Sequence, residues 1–78
     1  MSSTRQQTAL AVLARVAGKP PAEISEDMKL VGDLGIDSPK ALELLLELEE
    51  ALGREISDED ASAMETVSDV LAFADRAS

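Results

Sequence analysis

Along most of this chain, apolar residues recur at intervals of three and four, a helical spacing that divides it into four segments. The first helix, capped by Ser3 or Thr4, carries Ala9, Leu10, Leu13, Val16 and Ala17 on one face and stops at Gly18, with Pro20 and Pro21 just beyond. From Gly18 to Asp37 the periodicity lapses. A connection of that length in a small domain is usually functional or disordered. Here Ile24, Met28, Leu30, Val31, Leu34 and Ile36 are spread through it as anchors, which predicts a loop tied down over the core with one short turn after Ser25.

The strongest helical pattern follows, from Pro39 to about Leu52, with Gly53 placed to close it. Ala41, Leu42, Leu45, Leu46, Leu48 and Leu52 spread over more than half of its circumference, while Glu43, Glu47 and Glu50 fall on one stripe at i, i+4 and i+7 that is expected to be exposed. Ser57 then signals a short third helix, with Asp58, Glu59 and Asp60 in its first turn, where carboxylates meet the positive end of the helix dipole. A fourth begins at Thr66 as cap, with Asp69 as the acid of a capping box and Val67, Val70, Leu71 and Ala74 on its inner face. The fold class expected is all-α: a small four-helix bundle with a long first loop and a short third helix, residues 1–78 forming one domain.

Composition limits what such a bundle does. One aromatic, Phe73, among 78 residues leaves a modest aliphatic core, of the kind that supplies about 3–5 kcal/mol. A formal net charge of −9 adds self-repulsion, so marginal stability, eased by salt or divalent cations, is expected. The same acidity argues against nucleic acid as a partner and for basic protein surfaces, and it favours a monomer. There is no cysteine, hence no disulfide and no sign of an oxidising compartment. The N-terminal stretch lacks a signal-peptide pattern and no segment is long enough to span a membrane, so the cytoplasm is expected.

Catalytic options are few. Without histidine or cysteine no Ser-His-Asp or Cys-His arrangement can be assembled. A Ser-Lys pair of Ser38 and Lys40 has nothing around it to form an oxyanion hole or a cleft. Asp58-Glu59-Asp60 lacks the glycine and the bidentate glutamate of a calcium loop, and Asp33 with Asp37 makes no ligand set, so no metal site is expected beyond weak peripheral binding. Attention falls on Ser38, at the junction between the Gly-punctuated segment Val31-Gly32-Asp33-Leu34-Gly35-Ile36 and the second helix. Its plain structural role would be an N-cap with Pro39 at the first helical position; its chemical role would be to offer its hydroxyl.

The wider frame bears on that choice. Gly32-Asp33-Leu34-Gly35-Ile36-Asp37-Ser38, followed by Leu42-Glu43-Leu44 and then by the run from Leu48 to Ala61, resembles the acyl carrier protein family, and from Asp37 to Val67 it follows the family pattern without a gap. The resemblance implies that the protein is no enzyme. It implies that Ser38 carries 4′-phosphopantetheine taken from coenzyme A, and that Asp37 is the preceding acid through which a phosphopantetheinyl transferase recognises it. Glu43, Glu47 and Glu50 would lie on the helix presented to acyl-loading and acyl-transferring enzymes with basic patches. An acyl group held as a thioester would serve fatty-acid, lipid or polyketide-type biosynthesis, and the helices would open to admit its chain.

Two departures stand out. Pro39 replaces the family's usual leucine and removes one N–H from the first turn, and Lys40 stands where an acid is common. Beside a phosphodiester that cation becomes favourable, so Lys40 is a candidate for holding the arm, and a specialised carrier with dedicated partners is as consistent as a housekeeping one. An aminoacyl or peptidyl carrier and an unmodified acidic helical adaptor are the alternative readings.

Overall fold

The structure, a computed structural model, describes residues 4–76 and contains four α-helices: α1 (Thr4–Ala17), α2 (Ser38–Leu52), α3 (Asp58–Ala63) and α4 (Val67–Arg76). This is the all-α bundle that the periodicity predicts, with its long connection first and its short helix third. α1 is the shared element and packs against both α2 and α4. That position explains why its buried face is wider than one stripe. Ala9, Leu13 and Val16 are buried as expected, Leu10 and Ala17 only half so, and Val12 and Ala14 join the core from the flank. Gly18, at φ 71°, turns the chain out of α1; of the two proposed caps, Thr4 is the first described helical residue and Ser3 lies outside the described residues.

In the long connection, Leu30, Leu34 and Ile36 are buried and Ile24 and Met28 half-buried, so five of the six anchors hold. The sixth does not: Val31 is 73% exposed. The turn after Ser25 forms, with the Met28 N–H donating to the Ser25 carbonyl at 3.2 Å. An unforeseen 3-10 turn at Pro21–Glu23 precedes it, where proline presets a helical φ. One isolated antiparallel bridge, Lys29 with Thr66, pins the connection to the start of α4.

α2 corrects the sequence reading in two ways. Its buried side chains are Leu44 and Leu48, whereas Leu42 and Leu46, assigned to the apolar face, are 60% and 57% exposed. Its cap is Asp37, whose carboxylate accepts the Lys40 N–H at 3.2 Å; Ser38 is already inside the first turn. Gly53, at φ 69°, ends it as expected. The other two caps are also those expected. Ser57 Oγ accepts the Asp60 N–H at 3.1 Å, and Thr66 Oγ1 accepts the Asp69 N–H at 3.2 Å while the Asp69 carboxylate accepts the Thr66 N–H at 3.1 Å. α4 buries Val67, Val70, Leu71, Phe73 and Ala74; α3 buries nothing fully. No described helix is long and apolar enough to cross a membrane.

Candidate functional site

The site is the N-terminal end of α2 and the face beneath it. Gly35, at φ 66°, makes the last turn of the loop, after which the Ile36 N–H donates to the Leu30 carbonyl at 2.9 Å and the Ile36 side chain enters the core. Asp37 is left outside, extended, with its carboxylate turned onto the helix end. Asp37 and Ser38 are both residue types that cap, and Asp37 takes the position.

Ser38 is exposed and, among the described residues, no hydrogen bond engages its hydroxyl. The first turn is otherwise nearly used up. Asp37 holds the Lys40 N–H, the Ala41 N–H donates to the Asp37 carbonyl at 2.7 Å, and Pro39 has none to give, which leaves the N–H of Ser38 itself. An anion attached at Ser38 therefore meets the helix dipole but a single free backbone donor. The nearest additional cation in sequence is Lys40, exposed and in no ion pair among the described residues. An open hydroxyl, one N–H and an unpaired ammonium fit a phosphodiester.

Below Ser38 on the same helical face come Ala41 and Leu45, at i+3 and i+7. Both line a partly open cavity of about 350 Å³, lined also by Leu44 of α2, Leu30 and Ile36 of the loop and Met64 at the end of α3. The serine thus stands one turn above an apolar space. On a second face Pro39, Leu42 and Leu46, again at i, i+3 and i+7, form an exposed apolar ridge beside Glu43 and Glu50.

The acidic stripe is not uniform. Glu43 and Glu50 are exposed, but Glu47 is half-buried and its carboxylate meets the Arg15 guanidinium of α1 at 2.7 Å. Its charge is spent within the fold, which the spacing along α2 alone could not reveal. The structure thus brings Asp37, Ser38 and Lys40 together at one helix end, leaves Glu43 and Glu50 on the outer face, and takes Glu47 away from it. The ridge of Leu42 and Leu46 and the cavity are the features that the sequence reading missed. The i, i+4 spacing of those two leucines between glutamates was the available signal.

Comparison with known proteins bears on the family and the fold. The profile of the phosphopantetheine attachment site family matches residues 7–74. An acyl carrier protein of Solidesulfovibrio magneticus is 44% identical over 59 residues, which cover 76% of each chain. One from Rickettsia bellii is 34% identical over 68 residues, 87% of this chain and 84% of that one. Among solved structures, a chain from Mycobacterium tuberculosis assigned as an acyl carrier protein superposes with a TM-score of 0.80 at 33% identity, covering 88% of this chain and 92% of the other.

Proposed function

This chain belongs to the acyl carrier protein family, and from that premise we propose that Ser38 is its attachment residue, that the cavity below it shelters an alkyl cargo, and that Glu43 and Glu50 with the leucine ridge meet its partners. Proteins of this family are carriers rather than catalysts; their prosthetic group is 4′-phosphopantetheine, and they interact with a phosphopantetheinyl transferase and with acyl-handling enzymes. When attached, the group supplies a flexible arm ending in the thiol that bears the acyl cargo as a thioester.

The chain's own residues prepare the site. Asp37 caps α2 and so releases the neighbouring serine from structural duty, and that release is the observation on which the assignment rests. Lys40 offsets the phosphodiester charge that the depleted first turn leaves largely uncompensated. Leu30, Leu44 and Leu45 give the cavity an apolar lining, which favours an alkyl chain over an aminoacyl group. The ridge gives a docking enzyme an apolar contact, and the flanking carboxylates steer encounter with a basic patch. Its place is in fatty-acid, lipid or polyketide-type biosynthesis, as a cytoplasmic monomer.

Incubation with coenzyme A and a phosphopantetheinyl transferase, followed by intact mass, tests the assignment. The wild-type chain gains one adduct, and Ser38→Ala gains none while its melting temperature stays within the shift expected of about 0.5 kcal/mol, since the cap is Asp37. An adduct on Ser38→Ala, or none on the wild type, removes the reading. The rise in melting temperature on modification is smaller for Lys40→Ala than for wild type; equal rises would remove Lys40 from the site.

A further inference from the structure

The walls of the cavity are fastened very differently. α2 is packed on α1 and contributes the buried Leu44. The opposite wall, Ala61 and Met64 to Thr66, comes from the end of α3 and the link into α4. α3 is six residues long and buries no side chain fully, and a helix so short has no stability of its own in water. The wall stands because its ends are tied.

The tie nearest the cavity is the bridge between Lys29 and Thr66. The Leu30 N–H donates to the Glu65 carbonyl at 3.0 Å, and the Val67 N–H to the Met28 carbonyl at 2.9 Å. Two carboxylates brace it from either side. Asp33 Oδ2 accepts the Lys29 N–H at 2.7 Å; Asp69 Oδ2 accepts the Glu65 N–H at 3.0 Å and the Thr66 N–H at 3.1 Å. The Thr66 N–H and the Glu65 carbonyl belong to one planar peptide unit. Asp69 therefore grips one edge of that plane while Leu30 grips the other, and losing either grip lets the plane rotate away from its remaining partner.

We propose that this braced bridge is a latch on the cavity. When closed, it holds the Ala61–Thr66 wall against the loop; when released, that wall swings outward as a unit while α1, α2 and α4 stay packed, and Asp69 sets how often this happens. The purpose, admitting and releasing cargo, rests on the carrier reading; the mechanics do not.

Amide hydrogen exchange on the unmodified full chain tests it, with Asp69→Ala set against Val12→Ala, a core truncation in α1, which takes no part in the bridge. Hydrogen bonds to a carboxylate are strong enough that Asp69→Ala is expected to speed exchange across residues 58–66 by about tenfold or more. Val12→Ala is expected to speed exchange in the core of α1 and to leave residues 58–66 unchanged, because the open form keeps Val12 packed. Uptake of the neutral apolar fluorophore N-phenyl-1-naphthylamine should quicken in Asp69→Ala and not in Val12→Ala. The latch is refuted if Asp69→Ala leaves exchange at 58–66 within about twofold of wild type, or if Val12→Ala accelerates that segment as much as it accelerates α1. Should Asp69→Ala not fold, Thr66→Val, which removes the hydroxyl that accepts the Asp69 N–H at 3.2 Å, is expected to produce the same local pattern more weakly. Failure of the chain to accept the prosthetic group would overturn the carrier reading and leave these exchange results untouched.

Discussion

α3 and α4 open with the same signature, a hydroxyl residue followed three positions later by aspartate, yet one is anchored and the other is not. Ser57 and Asp60 form a closed local pair: Ser57 Oγ accepts the Asp60 N–H at 3.1 Å and donates to the Asp60 carboxylate at 3.0 Å. Thr66 and Asp69 instead spend the aspartate on two backbone N–H groups, both of which precede the helix. Behind that start α4 buries five side chains and α3 none. Capping decides where a helix begins; burial decides whether the fold depends on it. This small carrier keeps one end of the bundle closed by α4 and leaves the other, beside the cavity, held by hydrogen bonds.

The sharpest test of that contrast removes a large side chain from each region. Phe73→Ala in α4 is expected to cost about 3–5 kcal/mol, as much as a core of this size supplies, so the variant should lose its far-UV helical signal at room temperature. Met64→Ala, at the half-buried end of α3, should cost no more than about 2 kcal/mol, the low end for such truncations, and stay folded. Comparable losses would mean that α3 belongs to the closed core after all.

Removing the caps gives a smaller effect with the same logic. Thr66→Ala should lower global stability by about 1 kcal/mol, read by urea denaturation. Ser57→Ala should lower it by less than about 0.5 kcal/mol, because a cap cannot contribute more than the local stability of the helix that it starts. Equal losses would place α3 within the global folding unit and break the comparison.

The hold on Asp69 also depends on its charge. The backbone N–H of Glu65 and then that of Thr66 hold the Asp69 carboxyl below the usual aspartate range; partial burial opposes them and the Thr66 hydroxyl assists. A lowered folded pKa means that the ionised form favours folding. The contribution is complete above the unfolded value of about 3.9 and is lost as pH falls through the lower folded value. Asp69→Asn should therefore melt about 4–8 °C below wild type near neutral pH, equivalent to about 1 kcal/mol, and the gap should begin to close only below about pH 4 and shrink as pH falls further. A gap unchanged in acid would detach the effect from ionisation.

How much of this was legible in the sequence follows from the range of each interaction. The caps at Ser57 and Thr66 and the stops at Gly18 and Gly53 are local, and all four stand where the sequence puts them. Adjacent Asp37 and Ser38 both suit a cap; the sequence reading gave that role to Ser38, the backbone placed Asp37 there, and only then was the serine seen to be free. Leucines almost all round α2 fit several orientations, and contact with α1 selected Leu44 and Leu48 for the core and left Leu42 and Leu46 outside. The partner of Glu47 is 32 residues away in the chain, by the numbering of Arg15. The bridge from Lys29 to Thr66 likewise joins segments that no window along the sequence contains.

The smallest expected effect concerns a contact between the approach to α3 and α4. The Arg54 guanidinium lies 5.0 Å from the centre of the Phe73 ring, and Arg54 follows directly on the glycine that ends α2. A cation over an aromatic face at an exposed site contributes about 0.5–1 kcal/mol, and the loss in Arg54→Ala should appear in denaturant unfolding at that size. It should also be redundant with the ring, so that Arg54→Ala in a Phe73→Leu background costs almost nothing more. The Glu49 carboxylate still accepts the Ile56 N–H at 2.8 Å, so the linker has a second fastening and the variant should show no added exchange across residues 58–66. If exchange there rises as it does in Asp69→Ala, the open end of the bundle is held from its first residue as well as from its last, and α3 owes its place to α4 on both sides.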